Sequence, residues 1–346
     1  MRVLQLGPFP PPHGGIQTNL VAIRDHLRSR GIPCGVINLT RHRKPNSDEV
    51  YYPANAAELL RLLLTLPYDT LHLHIGGNLT PRLLALSLTC CLTPGKKAVL
   101  SFHSGGFPSS PQGRALHARA LPAFVLRRFD AVIGINPAIV AWLATLGVAP
   151  HRLHYILPYT DILEPAQTLS NPLATFYRAH DPVLITVGLL EPEYDLPLQI
   201  ETLGKVRERL PGAGLAIIGA GSLEADLRSA IAAVPWAEHI LLAGDVPHDV
   251  TLKATAEAAV LLRTTLYDGD SVSVREALRL GTPVIATDNG MRPANVRLIP
   301  VNDARALERA VLEQTQRPTR QPESPPPSNA NLEAVLDVYR RLWDAS

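Results

Sequence analysis

Thr70-Leu71-His72-Leu73-His74-Ile75-Gly76-Gly77 is a short apolar run that stops at a pair of glycines, and a helical pattern over Thr80–Cys90 follows it. One unit later, Leu100-Ser101-Phe102-His103-Ser104-Gly105-Gly106 repeats the arrangement. Short apolar runs alternating with helical patterns are the signature of parallel α/β layers. Outward from these two runs the same rhythm predicts strands at Val3–Gly7, Pro33–Leu39, Thr70–Ile75, Ala98–His103, Ala131–Ile135 and Leu153–Leu157. Helices are expected over Gln17–Ser29, Ala56–Leu66, Thr80–Cys90, Gly113–Arg128 and Ala138–Leu146. Residues 161–181 then lose periodicity and collect Pro, Ser and Asn, which reads as a connection between domains. The rhythm resumes with strands at Val183–Val187, Gly214–Gly219, Ile240–Ala243, Ala259–Arg263, Val284–Ala286 and Val296–Ile299. Helices are expected between them at Leu196–Arg209, Leu223–Ala232, Asp249–Ala256, Ser273–Leu280 and Ala304–Gln314. A proline-rich segment, 317–331, precedes a last amphipathic helix over Leu332–Trp343, and is long enough to carry that helix back to the first domain. The expected fold class is α/β, with two doubly wound domains over residues 1–162 and 178–316, the C-terminal helix 332–346 joining the first.

Composition agrees. The 346 residues are too many for one ordinary domain and suit two. With 46% hydrophobic and 18% charged residues the chain can bury two cores and is not a disordered polymer. Its three cysteines, Cys34, Cys90 and Cys91, exclude a disulfide framework and fit no zinc spacing. A net charge of +2 conceals an asymmetry: residues 1–165 carry +8 and residues 166–346 carry −6. The basic half suits an anionic ligand or an anionic membrane surface, or is simply a solvated surface. No aromatic-interleaved basic stripe accompanies it, so no nucleic acid is expected as a partner. The N-terminal apolar run meets prolines too early for a signal peptide. The greasiest stretch, Leu83 to Leu92, is about half of the ~20 residues that a membrane span needs. A cytoplasmic protein is expected, with peripheral contact at the inner membrane face as an option.

Several strand ends carry chemistry. After the first strand, Gly14 and Gly15 open a helix whose free N–H groups and positive dipole end suit an anionic group, or form a plain tight turn. Gly219-Ala220-Gly221 is a weaker example of the same kind. His74 and His103 fall at the carboxyl ends of their strands, where doubly wound sheets bind ligands; histidine there can donate to phosphate or sugar oxygens or shuttle protons, the alternative being a structural role. The window Arg263 to Leu278 places Asp268 and Glu276 eight residues apart. If Ser271 or Val272 opens the helix, Glu276 lies on its second turn and Asp268 stays in the loop. Both carboxylates could then accept from hydroxyls of a polyol, with N–H groups of Gly269–Ser273 beside them. The alternative is that Asp268 and Asp270 are loop or capping residues and Glu276 a solvated helix position.

Taken together, the chain resembles the GT-B glycosyltransferases, specifically the retaining family 4 (glycosyl transferases group 1). The resemblance rests on the order and spacing of PPHGG, HIGG and FHSG at strand ends, VIGIN, ITVGLLEP, IIGAGSLEADL, a D-x7-E form of the family's E-x7-E motif, and ALRLGTPVIATDNG. It runs over nearly the whole chain. It implies two Rossmann-like domains facing a cleft and transfer from a nucleotide-diphosphate sugar, with retention, to a glycan or lipid-linked acceptor. No metal or other cofactor is implied. On this resemblance His103 lies near the transferred sugar and Asp268 near its hydroxyls. Glu276 holds the nucleotide ribose, Gly14 and Gly15 line the cleft near donor phosphate or acceptor, and backbone N–H groups of Gly269, Asp270 and Ser271 touch sugar or phosphate; His74 and Gly188, at strand ends, are further candidates for binding the substrate or donor.

The sequence departs from the family at one place. The usual VGRL…K-G pair of cations reads Val187-Gly188-Leu189-Leu190-Glu191-Pro192-Glu193-Tyr194-Asp195 here, with Leu189 and Tyr194 in the basic positions. Charge-assisted contacts contribute about 1.5–3 kcal/mol each, so losing two would cost roughly 3–6 kcal/mol, or about 10² to 10⁴ in donor affinity. Arg263, Arg275 and Arg292 lie in the same neighbourhood, and Arg263 and Arg292 are the expected substitutes. Without a substitute, the chain would read as a non-catalytic glycosyltransferase-like partner or regulator.

Overall fold

Two parallel sheets carry the fold. The computed structural model describes residues 1–11, 14–40, 44–158, 165–268, 271–290, 292–316 and 329–344. The chain divides into two compact units, one built from Met1–Pro11, Gly15–Tyr159 and Ser328–Ser346 and the other from Pro12–Gly14 and Thr160–Pro327.

In the first unit the chain runs β1 (Val3–Gly7), α1 (Gly15–Ser29), β2 (Cys34–Asn38), β3 (Val50–Tyr51), α2 (Ala56–Thr65), β4 (Thr70–Ile75) and α3 (Pro81–Leu92). It continues through β5 (Lys97–Phe102), α4 (Pro111–Ala115), α5 (Leu121–Leu126), β6 (Ala131–Gly134), α6 (Pro137–Thr145) and β7 (Leu153–Tyr155). The second unit runs α7 (Leu173–Ala179), β8 (Val183–Val187), α8 (Leu196–Arg209), β9 (Gly214–Ile218), α9 (Glu224–Ala232), β10 (Ile240–Gly244) and α10 (His248–Glu257). It closes with β11 (Val260–Arg263), α11 (Val272–Arg279), β12 (Val284–Thr287), β13 (Val296–Ile299) and α12 (Ala304–Gln316), before α13 (Ala330–Asp344) returns to the first unit.

The strand orders are β3-β2-β1-β4-β5-β6-β7 and β10-β9-β8-β11-β12-β13, parallel throughout. Parallel neighbours require crossover connections, so each sheet is covered by helices on both faces. The order reverses between β1 and β4 in one sheet and between β8 and β11 in the other. Crevices open at the carboxyl ends of strands at such switch points.

Strand alternation sorts the first sheet's side chains into two unlike faces. Leu4, Leu6, Leu71, Leu73, Ile75, Leu100 and Phe102 share one apolar cluster with residues of α2, α3, α5 and α6. Val3, Val99, Ala131 and Ile133 belong to another, with Ile23 and Leu27 of α1 and Leu332, Val335, Leu336, Val338 and Tyr339 of α13. The last helix is therefore a structural part of the first unit. Its apolar stripe at i, i+3, i+4 and i+7 from Leu332 is what an amphipathic helix buries against a sheet.

Two expectations are corrected, and one short strand was not expected. The single helix expected over Gly113–Arg128 is two: α4 ends at Ala115 and α5 starts at Leu121, with Pro122 in its first turn. Proline lacks the N–H and clashes with the carbonyl four residues back, so a helix restarts there instead of passing through. The connection expected to be aperiodic contains α7, anchored by buried Leu173 and Phe176, a stripe too short to show a period. The two-residue strand β3 pairs with β2 and is likewise too brief for alternation to reveal.

Candidate functional site

In the second unit the switch point between β8 and β11 holds a cluster of charged side chains. Arg263, the last residue of β11, is buried; its Nε donates to Asp268 Oδ2 at 2.8 Å and its Nη1 to the Val187 carbonyl at 3.1 Å. Its guanidinium lies over the Tyr194 ring, 4.5 Å from the centroid. Arg292, with only 2% of its side chain exposed, approaches from the loop after β12: Nη1 donates to the same Asp268 oxygen at 2.9 Å, Nη2 to Thr265 Oγ1 at 2.8 Å and Nε to the Thr287 carbonyl at 3.1 Å. Burial works against the charge of Asp268, yet Arg263 and Arg292 outweigh it and hold the carboxyl below the usual carboxylate range. Burial also opposes the Arg263 cation, and Asp268 more than reverses that.

Local sequence explains why the cluster fits. A Cβ on Gly188 would lie 2.1 Å from Tyr194 Cε1 and 2.9 Å from Arg263 Nη1, so only glycine lets the backbone after β8 pass the stacked pair. Thr264, next to Arg263, donates to the Tyr194 carbonyl at 3.0 Å and receives Gln199 Nε2 at 2.8 Å, which ties the end of β11 to the loop before α8. The neighbouring Gly219–Ser222 turn is held by Glu191, whose carboxylate accepts from Ser222 N at 2.8 Å and Ser222 Oγ at 2.6 Å. Gly219 has φ +143, and a Cβ there would lie 1.7 Å from the Gly188 carbonyl oxygen.

Ser271 precedes α11 and its hydroxyl lies 3.1 Å from that of Ser273, which in turn donates to the Val187 carbonyl at 3.3 Å. Glu276 sits on the second turn, buried, and meets His248 Nε2 at 2.7 Å. Burial pulls the His248 pKa down, and the Glu276 carboxylate more than reverses this, so the imidazole binds its proton more tightly than usual. Gly269 and Asp270 lie outside the described residues.

In the first unit the switch point between β1 and β4 holds histidines on the face shared with α1 and α13. His74 Nε2 is 3.0 Å from Gln5 Oε1, and His74 Nδ1 is 3.1 Å from His103 Nε2. His72 bonds the Tyr339 hydroxyl of α13 through Nδ1 and Ser101 Oγ through Nε2 at 2.8 Å, and its ring centroid is 4.1 Å from that of His74. Burial pulls the pKa of His72 down to about 3 and of His103 to about 4, with His74 also well below the usual value. These histidines are neutral imidazoles at neutral pH. Gly15 begins α1, exposed, with half-buried Gly14 before it.

The structure thus groups Gly188, Arg263, Asp268 and Arg292, and separately His74 and His103. Asp268, expected near the sugar hydroxyls, gives one oxygen to both arginines. Sequence reading missed Gln5, His72, Tyr339, Thr265 and His248. Only Gln5 carried a signal, as a lone polar residue in the buried strand VLQLG. Among the described residues no group of three or more His, Cys, Asp or Glu could hold a metal ion, and no helix is long and apolar enough to cross a membrane.

A profile described as glycosyl transferase 4-like domain matches residues 7–158, and one described as glycosyl transferases group 1 matches residues 181–316. The amylovoran biosynthesis glycosyltransferase AmsK of Erwinia amylovora is 29% identical over 150 residues, which are 40% of this chain and 37% of that protein. The match therefore spans little more than a third of that curated relative. A TarM variant of S. aureus has a TM-score of 0.67 at 10% identity, covering 92% of this chain and 93% of its own. Anabaena HepE, solved with UDP-glucose, has a TM-score of 0.67 at 15% identity over 92% of each chain. At such identities the solved structures speak for the fold, while the two profiles between them cover most of the sequence. The chain belongs to the group 1 glycosyltransferases of the GT-B fold.

Proposed function

We propose that this protein transfers a sugar from a nucleotide-diphosphate donor to a glycan or lipid-linked acceptor, with retention of configuration. In that reaction the bond from the anomeric carbon to the diphosphate oxygen breaks, a bond to the acceptor oxygen forms on the same face, and the acceptor's proton leaves with the diphosphate. The departing group gains negative charge, and cations placed in advance lower the barrier. Arg263 and Arg292 are assigned that role, with Asp268 holding both guanidiniums in position. Glu276, backed by His248, is assigned to ribose hydroxyls, and His103 to the transferred sugar. The basic balance of residues 1–165 supports an anionic acceptor or an acceptor at an anionic membrane surface.

One observation carries the reading. Leu189 and Tyr194 occupy the family's basic positions, and the Arg263 guanidinium lies on the Tyr194 ring while Arg292 converges on the same carboxylate. HepE has been solved with UDP-glucose and the TarM variant with UDP, which supports a uridine nucleotide as the first ligand to try. Thermal unfolding with UDP, GDP, ADP and CMP tests the donor site. A nucleotide at about 100 times its dissociation constant adds roughly 2.7 kcal/mol of stability. No shift with any of the four would favour the non-catalytic reading, which the 41% exposed Leu189 in a cation's place already supports.

A further inference from the structure

We propose that Gln5 and His74 are positioning residues: their hydrogen bonds fix His103 with its proton on Nε2 and turn its Nδ1 outward as a hydrogen-bond acceptor. The inference rests on the transferase reading only for what meets that acceptor, a sugar hydroxyl.

The chain of bonds has one consistent direction. Gln5 Nε2 faces the Leu20 carbonyl at 3.1 Å and Cys34 Sγ at 3.4 Å. The carbonyl can only accept, so the Gln5 nitrogen is the atom on that side and its Oε1 faces His74. An amide oxygen accepts only, so His74 Nε2, 3.0 Å away, carries the proton. A neutral imidazole has one N–H, which leaves His74 Nδ1 as an acceptor, and His103 Nε2–H donates to it across 3.1 Å. His103 is neutral by the same burial, so its second nitrogen keeps a lone pair. Among the described residues that Nδ1 has no hydrogen-bond partner, and His103 is the partly exposed end of the chain.

Topology makes the chain possible. Gln5, His74 and His103 come from β1, β4 and the end of β5, adjacent strands at the switch point, and occupy one face. A Cβ on Gly7 would approach Leu20 Cδ1 at 2.9 Å and His74 Cβ at 3.1 Å, so a larger residue at the end of β1 would push His74 off Gln5. The outward lone pair has a chemical consequence. It receives a hydroxyl hydrogen and repels an ionised phosphate oxygen, so this end of the site selects a sugar hydroxyl over phosphate.

Ring-nitrogen NMR on the full-length protein tests the proposal, because protonated and unprotonated imidazole nitrogens resonate far apart. In the parent, His103 should show a bare Nδ1 and a protonated Nε2. The reverse pattern overturns the relay. The opposite arrangement would set two acceptors, Gln5 Oε1 and His74 Nε2, against each other in a buried site, which disfavours it roughly 5- to 150-fold. Gln5→Leu removes that bias, and both forms of His103 should then be populated; an unchanged spectrum overturns the relay. His74→Asn places an amide oxygen where Nδ1 was and should keep the parent pattern, whereas His74→Leu should not. If turnover of the sugar carried by the stabilising nucleotide is no better in His74→Asn than in His74→Leu, the positioning role is wrong. A parent with the expected nitrogens that binds none of UDP, GDP, ADP or CMP sinks the transferase reading and leaves the relay standing.

Discussion

Replacing Asp268 with asparagine separates a carboxylate that holds arginines from one that waits for sugar. The substitution keeps the side chain's size but removes the charge from an oxygen that accepts from Arg263 at 2.8 Å and Arg292 at 2.9 Å. Charge-assisted hydrogen bonds contribute about 1.5–3 kcal/mol each, so two sum to about 3–6 kcal/mol. Breaking a buried ion pair from one side costs about 3–5 kcal/mol because the partner charge is left stranded. The two routes agree. In a unit of this size each kcal/mol lowers the melting temperature by roughly 2–4 °C, so Asp268→Asn should melt roughly 6–20 °C below the parent. The distinctive expectation concerns ligand. With its carboxylate gone, the pair of cations should take a diphosphate as the replacement counter-charge. UDP, or whichever nucleotide stabilises the parent, should therefore raise the melting temperature of Asp268→Asn by more degrees than it raises the parent's. Differential scanning fluorimetry across a nucleotide titration reads both effects. A variant that melts within about 2 °C of the parent would refute the assigned ion-pair geometry. A variant destabilised as expected but with a smaller nucleotide shift would refute the expectation that a diphosphate replaces the lost carboxylate.

Further outcomes follow from neighbouring contacts. Gly188→Ala forces Tyr194 and Arg263 apart, and an overpacking cost of about 1–3 kcal/mol together with weakened nucleotide binding is expected, read by denaturant unfolding and by titration. His248 has a raised pKa in the folded state, so its bond to Glu276 stabilises most below the unfolded value of 6.5 and fades as pH rises through the higher folded value. Urea midpoints for parent and His248→Gln between pH 5 and 8.5 should converge at the alkaline end, and a constant gap would contradict the pairing. His72, His74 and His103 behave oppositely. Their folded pKa values lie below 6.5, so the unfolded chain takes up protons first and stability falls as pH drops from about 6.5 towards 4, by at most about 1.4 kcal/mol per pH unit for each histidine. His103→Asn should flatten that slope in acid unfolding curves, and an unaltered slope would mean that His103 titrates freely. Tyr339→Phe strips the hydroxyl from buried His72 and should cost about 1–3 kcal/mol in thermal melts.

Much of the fold was legible because parallel α/β structure writes itself locally. A buried strand such as Val183–Val187 must be apolar over its own length, and an amphipathic helix such as Leu196–Arg209 must show its stripe within a few turns. Where an element was too short to complete a period, as in Val50–Tyr51 and Leu173–Ala179, the signal was absent. Between Ala115 and Leu121 the apolar pattern carried on, while Pro122 in the first turn of α5 made the helix restart. The site divides in the same way. Glycines at strand ends and the spacing of Asp268 and Glu276 pointed to the loops at the carboxyl ends of the strands, since loop position follows from strand position.

Which atoms meet inside those loops could not be read from spacing. Arg263 and Arg292 are 29 residues apart, Gln5 and His74 are 69 apart, and His72 and Tyr339 are 267 apart. Most of the elements, their order and the residues at the carboxyl ends of the strands were legible along the chain, because those depend on periods of two and 3.6 residues along one stretch. The folded sheets alone bring Asp268 to two arginines, His248 to Glu276, and Gln5 and His103 to His74. Each of those is a short-range electrostatic contact, with a strength that depends on distances of about 3 Å between strands that only the folded sheet brings together.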